Sequence, residues 1–229
     1  MTSNPQSPPI QLGPVRDRSF DHGAIGRFNA WFFGFFARYL NHIARHHKRA
    51  AFEALDRAGV VVEVGAGTGA NLGYLRLGTR LYAIEPNVHM HPRLRRASRS
   101  AGVEVTILPT GAETIPLPDA SVDEVICSLV LCTVEDPDRA LAEIRRVLRP
   151  GGRFRFVEHV AAPPGSLRRR VQQAIQRPWA YLFEGCHSHR ETPDLVARAG
   201  FRSLRIEHRM LRHSPFWPVN TAVWGIAQR

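Results

Sequence analysis

A buried strand that runs into a glycine-rich turn is the feature that most constrains this chain. Residues 60–64 read Val-Val-Val-Glu-Val, and residues 65–71 continue as Gly-Ala-Gly-Thr-Gly-Ala-Asn. A run of β-branched apolar residues is typical of a parallel strand that is buried on both faces. Glycines at alternate positions let the backbone turn sharply and approach a ligand closely. Amide groups at the start of a following helix suit an anionic or hydrogen-bond-accepting group.

An acidic residue at the end of the next strand strengthens this interpretation. Residues 81–84 read as a second strand, and Glu85 follows it, 20 residues after Gly65. A carboxylate at that distance can accept hydrogen bonds from both hydroxyls of a ribose. The glycine spacing, with one residue between glycines, differs from the Gly-x-Gly-x-x-Gly of dinucleotide sites. The alternative role for Glu85 is to cap the helix that follows Pro86.

Strands and helices alternate along the rest of the chain, which predicts a parallel sheet with helices on both faces. Further strands are expected at residues 103–108, 125–132 and 153–160. Helices are expected at residues 69–77, 88–101, from Asp136-Pro137, at 163–177, and from Thr192-Pro193 to Gly200. The last two strands, 201–210 and 221–227, are expected to be antiparallel.

The chain is expected to hold one domain after a flexible tail. Residues 1–27 form the tail, and residues 28–229 form the domain, with an N-terminal helical lid at 28–58 and a core at 59–229. Aromatic residues recur at helical spacing over residues 28–40. Three interpretations of that segment stay open: a helix packed on the domain, a lid over the substrate pocket, and a peripheral membrane helix. The apolar run is shorter than the ~20 residues that a bilayer span needs.

The charge balance argues against a nucleic-acid partner. The chain has a net charge of +11, with 30 arginines and a single lysine. Nucleic-acid proteins more often mix both cations and interleave aromatic residues with them. So lopsided a ratio is also what a coding bias produces. Attraction to anionic lipid remains open.

The cysteine pattern predicts a reducing compartment and no metal. The three cysteines, at 127, 132 and 186, show neither a paired metal spacing nor a disulfide framework. Cys186, His187 and His189 resemble ligands at first sight, but no second ligand cluster accompanies them. No secretory signal is visible in residues 1–20. A cytoplasmic location is therefore expected, with membrane association open.

Several motifs together resemble the class I S-adenosylmethionine-dependent methyltransferases. Besides residues 63–71 and Glu85, residues 148–152 read Leu-Arg-Pro-Gly-Gly, an ending typical of that class. A closer resemblance, to the methyltransferase-like thiol S-methyltransferases, is carried by residues 63–71, 127–132, 147–152, 158–162 and 184–186. The resemblance implies a Rossmann-like, doubly wound, seven-stranded and mostly parallel α/β sheet with a reversed final strand. It also implies S-adenosyl-L-methionine as cofactor.

The resemblance further implies a set of site residues. Relatives often carry an Asp for adenine where this chain has Gly111, so adenine is assigned to the backbone of Ala112 or to Glu113. The residues implied to bind the cofactor are Glu63, Gly65, Ala66, Gly67, Gly69, Asn71, Glu85, Pro86, Asn87, Ala112, Glu113, Ser128, Leu129 and Val130. At the end of strand five, His159 is the candidate general base or substrate contact.

The predicted activity is methyl transfer to a small, apolar molecule, with a thiol as the favoured acceptor. A quinone carbon, or an oxygen or nitrogen of a lipid or natural product, is the enzymatic alternative. A cofactor-binding or nucleic-acid-binding module without turnover is the alternative from another class. The amino-methylating signature Asn/Asp-Pro-Pro-Tyr/Phe is absent from the sequence, which argues against methylation of nucleic-acid bases.

Overall fold

Seven strands form one sheet in the computed structural model, which describes residues 10–14, 23–53, 55, 59–211 and 214–229. The strands are β1 (Val60–Val64), β2 (Arg80–Ile84), β3 (Glu104–Leu108), β4 (Val122–Ser128), β5 (Leu148–His159), β6 (Ser203–His208) and β7 (Ala222–Gln228). The helices are α1 (Gly23–Ala51), α2 (His91–Ala101), α3 (Pro137–Val147), α4 (Leu167–Leu182) and α5 (Thr192–Arg198). Single 3₁₀ turns lie at Leu72–Tyr74 and Trp217–Val219.

The strand order confirms the predicted fold class. The order is β3-β2-β1-β4-β5-β7-β6, and β1 to β5 all pair in parallel. Strand β7 runs antiparallel to both of its neighbours, β5 and β6. The chain leaves β1 for β2 on one side and later returns to β4 on the other. Open α/β sheets bind ligands at such a switch point, beyond the carboxyl ends of the strands.

The central position of β1 follows from its composition. All five of its residues are buried, as expected for a β-branched strand between two parallel neighbours. The edge strands differ, because β3 is half-exposed and β6 alternates between half-buried and exposed residues. The tip of β1 therefore lies at the middle of the sheet, with the ends of β2 and β4 on either side.

Two predicted elements are shorter than expected. Residues 69–77 form only the 3₁₀ turn Leu72–Tyr74, because Gly69 is left-handed at φ +89° and Leu75 is already extended. Strand β4 ends at Ser128 rather than residue 132, because Leu129 adopts φ +61° and turns the chain away from the sheet. Strand β5, in turn, begins at Leu148, ahead of the predicted residue 153. The segments that follow β1 and β4 are therefore loops, where the sequence predicted a helix and a longer strand.

The N-terminal helix is longer than the aromatic segment that predicted it. Helix α1 covers 29 residues, and within the described part of the chain no helix has the length and apolarity needed to cross a bilayer. Most of the predicted flexible tail, residues 1–9 and 15–22, lies outside the described residues. Residues 10–14 lie against the domain. The Ile10 amide donates to the Tyr82 hydroxyl (3.3 Å), and the Gly13 amide to the Pro116 carbonyl (3.1 Å).

A buried ion pair joins two central strands to α1. Arg155 on β5 is 1% exposed and donates to both carboxylate oxygens of Glu124 on β4, at 2.8 and 3.2 Å. Its third guanidinium nitrogen, Nη1, donates to the Ala51 carbonyl at the end of α1 (2.8 Å). Arg153 adds a second, more exposed pairing to Glu124 (3.2 Å). A buried guanidinium is tolerated only while its partners stay in place.

Replacing Glu124 with Ala should lower the free energy of unfolding by about 3–5 kcal/mol, since it leaves the Arg155 charge buried and unpaired. Urea denaturation followed by circular dichroism measures this change. The matched control is Asp138→Ala, which breaks the pair with Arg198 (3.1 Å), both side chains being more than half exposed. That change should lower stability by about 1 kcal/mol or less. Equal effects from the two variants would contradict a structural role for the buried pair.

Candidate active site

A cavity of about 270 Å³ lies where the carboxyl ends of the central strands meet. Its floor comes from the loops that follow β1, β2 and β4, together with the last residue of β5. Its cover comes from α1, from the end of α4 and the loop that follows, from Leu211, and from residues 214–219. Its lining is mostly apolar with a few polar groups, as is typical of a small-molecule site. The described residues thus enclose one cavity at the switch point of the sheet.

The glycine turn after β1 forms part of this floor. Gly65 and Gly67 adopt left-handed conformations, with φ of +66° and +54°. A Cβ on Gly65 would lie 2.3 Å from a methyl carbon of Val130, so only glycine allows the two loops to approach this closely. A Cβ on Gly67 would meet no atom within 4 Å, which leaves open space above the turn. The turn therefore presents bare backbone to the cavity.

Glu85 holds the floor loops after β1 and β2 together. Its carboxylate accepts hydrogen bonds from the Gly67 amide (2.7 Å) and from the Asn87 amide (2.9 Å). Burial raises the pKa of Glu85 to about 7, although these two amides act in the opposite direction. A carboxylate has about four acceptor sites, so the bonds to backbone leave capacity for two hydroxyl donors.

Asn87 connects that acid to the cover of the cavity. Its side-chain amide donates to the Gly26 carbonyl on α1 (3.1 Å) and to the Glu184 carboxylate beyond α4 (2.6 Å). Both Glu85 and Glu184 line the cavity, and burial raises the pKa of Glu184 to about 7 as well. Asn87 thus contacts Glu85 on the floor through its backbone amide, and contacts helix α1 and the loop after α4 through its side-chain amide.

A polar network lies behind the glycine turn. Glu63 accepts from the side-chain amide of Asn71 (2.7 Å), and its second carboxylate oxygen is buried without a hydrogen-bond partner. The Lys48 ammonium donates to Asn41 (2.6 Å), whose amide donates to the Ala70 carbonyl (3.0 Å). Burial lowers the pKa of Lys48 to about 8, while the nearby Glu63 carboxylate raises it.

Glu158 fixes the loop after β4 from below. One of its carboxylate oxygens accepts from the amides of Val130 (2.9 Å) and Leu131 (3.1 Å). Because these bonds hold the left-handed turn at Leu129, residues 128–130 line the cavity. Glu158 itself is fully buried and supports this loop, whereas its neighbour His159 faces the cavity. The two side chains differ in this way because successive residues of a strand point to opposite faces of the sheet.

Most of the residues implied by the motifs meet at this cavity. Those that line it are Gly65, Ala66, Gly67, Asn71, Glu85, Pro86, Ser128, Leu129, Val130 and His159. Three others support them from behind: Glu63 through Asn71, Asn87 through Glu85, and Gly69 through its amide bond to the Ala66 carbonyl (2.9 Å).

Ala112 and Glu113, assigned to adenine, are not brought to the cavity. Ala112 is buried in the core beneath the sheet. The Glu113 carboxylate accepts from the amides of Glu135 (3.1 Å) and Asp136 (3.3 Å), just before α3. Acidic groups are favoured at helix starts, which explains this placement. An adenine contact by either residue stays a prediction.

An aromatic cluster forms the cover. Phe32 of α1 packs against Phe183 (ring centroids 5.7 Å apart) and Phe216 (6.2 Å). Trp179 of α4 packs against the same two rings, at 4.5 and 6.0 Å. Phe33 adds a further ring at the Phe183 edge (6.4 Å). Helix α1 therefore covers part of the cavity, and this cover is apolar.

A sulfur–nitrogen cluster lies on the cavity wall. The Cys186 sulfur lies 3.1 Å from His159 Nε2 and 3.4 Å from the Cys132 sulfur. The Trp179 indole also donates to it, at 3.2 Å. Hydrogen bonds from Cys132, and then from His159 and Trp179, lower the pKa of Cys186 well below its ordinary value. The pKa of Cys132 is raised well above its ordinary value by its hydrogen bond with Cys186 and by burial.

Sequence reasoning missed Lys48 and Cys132 as cavity residues. The sequence offers one signal for Lys48, which is the single lysine beside 30 arginines. Cys132 is buried, and its sulfur faces Cys186. The sequence separation of 54 residues gave no sign of that contact.

Comparison with known proteins agrees with this architecture. Residues 62–156 match the family model described as a methyltransferase domain. The chain is 39% identical over 151 residues to thiol S-methyltransferase TMT1A of Homo sapiens, and 38% identical over 152 residues to thiol S-methyltransferase TMT1B. Each alignment covers 65% of this chain, which spans 62% of each relative's length.

Solved structures support the fold. An S-adenosylmethionine-dependent methyltransferase of Thermotoga maritima is similar with a TM-score of 0.61 and 21% identity, covering 89% of this chain and 99% of that one. Another, from Mesorhizobium loti, has a TM-score of 0.60 and 20% identity, covering 82% and 98%. At these identities the likeness concerns the fold. Residues 62–156 therefore match a methyltransferase domain, within a chain that has the fold of these S-adenosylmethionine-dependent methyltransferases.

Proposed function

We propose that this protein transfers the methyl group of S-adenosylmethionine to a small, apolar thiol. The observation that carries the proposal is the pairing of Glu85 with the glycine turn at one end of an apolar cavity. A buried carboxylate with spare acceptor capacity beside bare backbone suits a ribose next to a flexible chain. The aromatic cover over the other end suits an apolar acceptor.

The residues at the strand tips fit the cofactor. Glu85 is proposed to accept the ribose hydroxyls, and the turn from Gly65 to Gly69 to support the methionine end. Lys48, the buried cation on the cavity wall, is placed to meet the methionine carboxylate, because a buried ammonium is stabilised by an opposite charge. When bound, the cofactor supplies an electrophilic methyl group. The chain's residues position the two molecules and exclude water, which account for much of the rate in such reactions.

A thiol is favoured over an oxygen acceptor because sulfur is intrinsically the stronger nucleophile and depends less on a general base. His159, the candidate base, already has Nε2 against the Cys186 sulfur. The two human relatives named as thiol S-methyltransferases support the same choice. His159 is proposed as a substrate-side contact rather than a free proton acceptor.

We also propose that α1 makes peripheral contact with a membrane surface. Trp31 and Phe35 on its outer face are 52% and 69% exposed, and their rings stack at 5.7 Å. Phe28 and Tyr39 continue the same exposed stripe. Exposed arginines flank it at positions 27, 38, 45 and 49. Aromatic rings beside cations suit the interface of an anionic bilayer. An apolar acceptor could then reach the lid from the lipid phase.

Replacing Glu85 with Gln should weaken binding of S-adenosylhomocysteine about tenfold or more, because the amide carries no charge and offers a single acceptor oxygen. Isothermal titration calorimetry measures the affinity. With the pKa of Glu85 near 7, wild-type affinity should also fall about tenfold between about pH 8 and pH 6, as the carboxylate gains a proton.

The Gln variant should lose that pH dependence, whereas Glu104→Gln, at an exposed position on β3, should keep both affinity and slope. The other ionisable groups around Glu85, namely Lys48, Glu63 and Glu184, stay in place in both variants, so their titration is common to the comparison. Unchanged affinity in Glu85→Gln would remove the ribose assignment.

In a panel of acceptors, a small alkyl thiol should release S-adenosylhomocysteine about tenfold or more faster than a phenol of similar size, because sulfur is the stronger nucleophile. A quinol and an apolar amine complete the panel, and labelled cofactor identifies the methylated atom. Faster turnover of the phenol or quinol would replace the thiol with the oxygen or carbon alternative. Cofactor binding without turnover of any acceptor would instead indicate a non-catalytic module.

The double change Trp31→Ser and Phe35→Ser should lower binding to vesicles of mixed neutral and anionic lipid about tenfold or more, given about 1.5–3 kcal/mol for each buried aromatic side chain. Co-sedimentation measures this partitioning. The control is Leu77→Ser, which removes an apolar side chain that is 75% exposed in the segment between the first 3₁₀ turn and β2. Binding that is equally weak for wild type and both variants would refute the membrane contact.

A further inference from the structure

Three ligand-type side chains from distant segments converge on one wall of the cavity. Cys132 follows β4, His159 is the last residue of β5, and Cys186 lies in the loop after α4. Their two sulfurs and one imidazole nitrogen all lie within 4.8 Å of one another, and all three residues are buried. All three also line the cavity. No other such group of ligands occurs among the residues that the structure describes.

We propose that Cys132, His159 and Cys186 bind one zinc ion whose fourth coordination position faces the cavity. Two thiolates and one imidazole form a soft donor set of the kind that zinc prefers. Three protein ligands with one open position are the pattern of reactive zinc sites, whereas structural sites use four protein ligands. The sequence pattern predicted no metal because the cysteines show no paired metal spacing and no second ligand cluster accompanies Cys186, His187 and His189. The cluster described here draws its ligands from distant segments and includes neither His187 nor His189.

The distances fit with a small expansion. Zinc with bonds of about 2.3 Å to sulfur and 2.0–2.1 Å to nitrogen, in tetrahedral geometry, holds two sulfurs about 3.8 Å apart and a sulfur and nitrogen about 3.6 Å apart. The corresponding separations here are 3.4 Å and 3.1 Å. Each pair must therefore widen by about 0.4–0.5 Å, which is within the reach of side-chain rotation.

The surroundings of Cys186 suit a metal-bound thiolate better than a disulfide. The Trp179 indole N–H donates to its sulfur at 3.2 Å. Such a donor stabilises negative charge on sulfur, which a disulfide lacks. Arg190 interacts electrostatically with both sulfurs and so brings a positive charge to the same wall. Its guanidinium donates to the Val134 carbonyl (2.9 Å). Zinc with two thiolates is neutral, so a third thiolate would give one negative charge opposite Arg190.

The open position suits the acceptor thiol, and this part of the inference rests on the proposed function. A thiol that binds zinc there loses its proton to solvent and keeps both electrons of the S–H bond. Its sulfur then attacks the methyl carbon of the cofactor, forming a new S–C bond. The old C–S bond breaks with its electron pair staying on S-adenosylhomocysteine. The thioether product is a weaker ligand and leaves. The metal thus supplies the activation that His159, held by Cys186, does not.

Cobalt(II) tests the site without any need for activity. The full chain is purified with a non-thiol reductant, freed of metal by a chelator, and titrated with cobalt. We expect one cobalt per chain, visible bands of a tetrahedral ion, near-ultraviolet thiolate-to-metal charge transfer, and displacement by one equivalent of zinc. Adding a small alkyl thiol should raise the charge-transfer absorbance by about half, because a third sulfur joins two.

Matched variants assign the ligands. Cys132→Ser and Cys186→Ser should each lose about half of the charge-transfer absorbance or all metal binding. His159→Gln should shift the visible bands. The control is Cys127→Ser, a buried cysteine on β4 whose sulfur lies 3.4 Å from Glu158 and outside the ligand set. It should keep the full spectrum. Thermal melting and cofactor calorimetry on each variant separate lost metal binding from lost folding.

Absence of charge transfer in the folded wild-type chain would overturn the proposal, as would a Cys132–Cys186 disulfide forming while no metal binds. Alkyl-thiol turnover at full rate by the metal-free chain would refute the role of the metal but leave the methyltransferase function standing. Stoichiometric cobalt binding without any cofactor binding would support the metal site and refute the proposed function, so the two proposals can fail independently.

Discussion

Buried carboxylates at the ends of neighbouring strands hold the loops that shape the cavity. Glu85 binds the amides of Gly67 and Asn87, and Glu158 binds those of the loop after β4. A carboxylate away from water is stable only with hydrogen bonds, so each acid requires its loop to keep one conformation. The loops in turn gain partners for amides that would otherwise be buried unpaired. The shape of the binding site therefore depends on two side chains that carry out no chemistry of their own.

The fold was predictable because its signals are local. β-Branched runs, helix-start residues and glycine stops lie next to the elements that they specify, and the alternation of these elements predicts a mostly parallel sheet. The misplaced end of β4 shows the limit of such signals. Leu129 is left-handed because Glu158 binds the next two amides from another strand, and nothing near residue 129 in the sequence indicates that contact.

The site was predictable where one motif supplies several residues, as in the glycine turn and Glu85. It was not predictable where distant segments meet. Cys132 and Cys186 face each other only because β4 and β5 are neighbours and the loop after α4 folds back over them. Glu113 shows another long-range contact. It lies in the expected loop, and its carboxylate accepts from the amides of Glu135 and Asp136, just before α3.

The contacts of Asn87 link the binding of two ligands. Its side chain donates to helix α1 and to the loop after α4, while its backbone amide donates to Glu85. A ligand that binds Glu85 therefore contacts a carboxylate whose partner, Asn87, also holds the cover of the cavity in place. Thermodynamic coupling of this kind is reciprocal, so a secured cover also tightens the grip on the first ligand. For the proposed methyl transfer, such linkage favours ordered addition: S-adenosylmethionine enters first, helix α1 settles over it, and the acceptor then completes a ternary complex from which bulk water has been displaced.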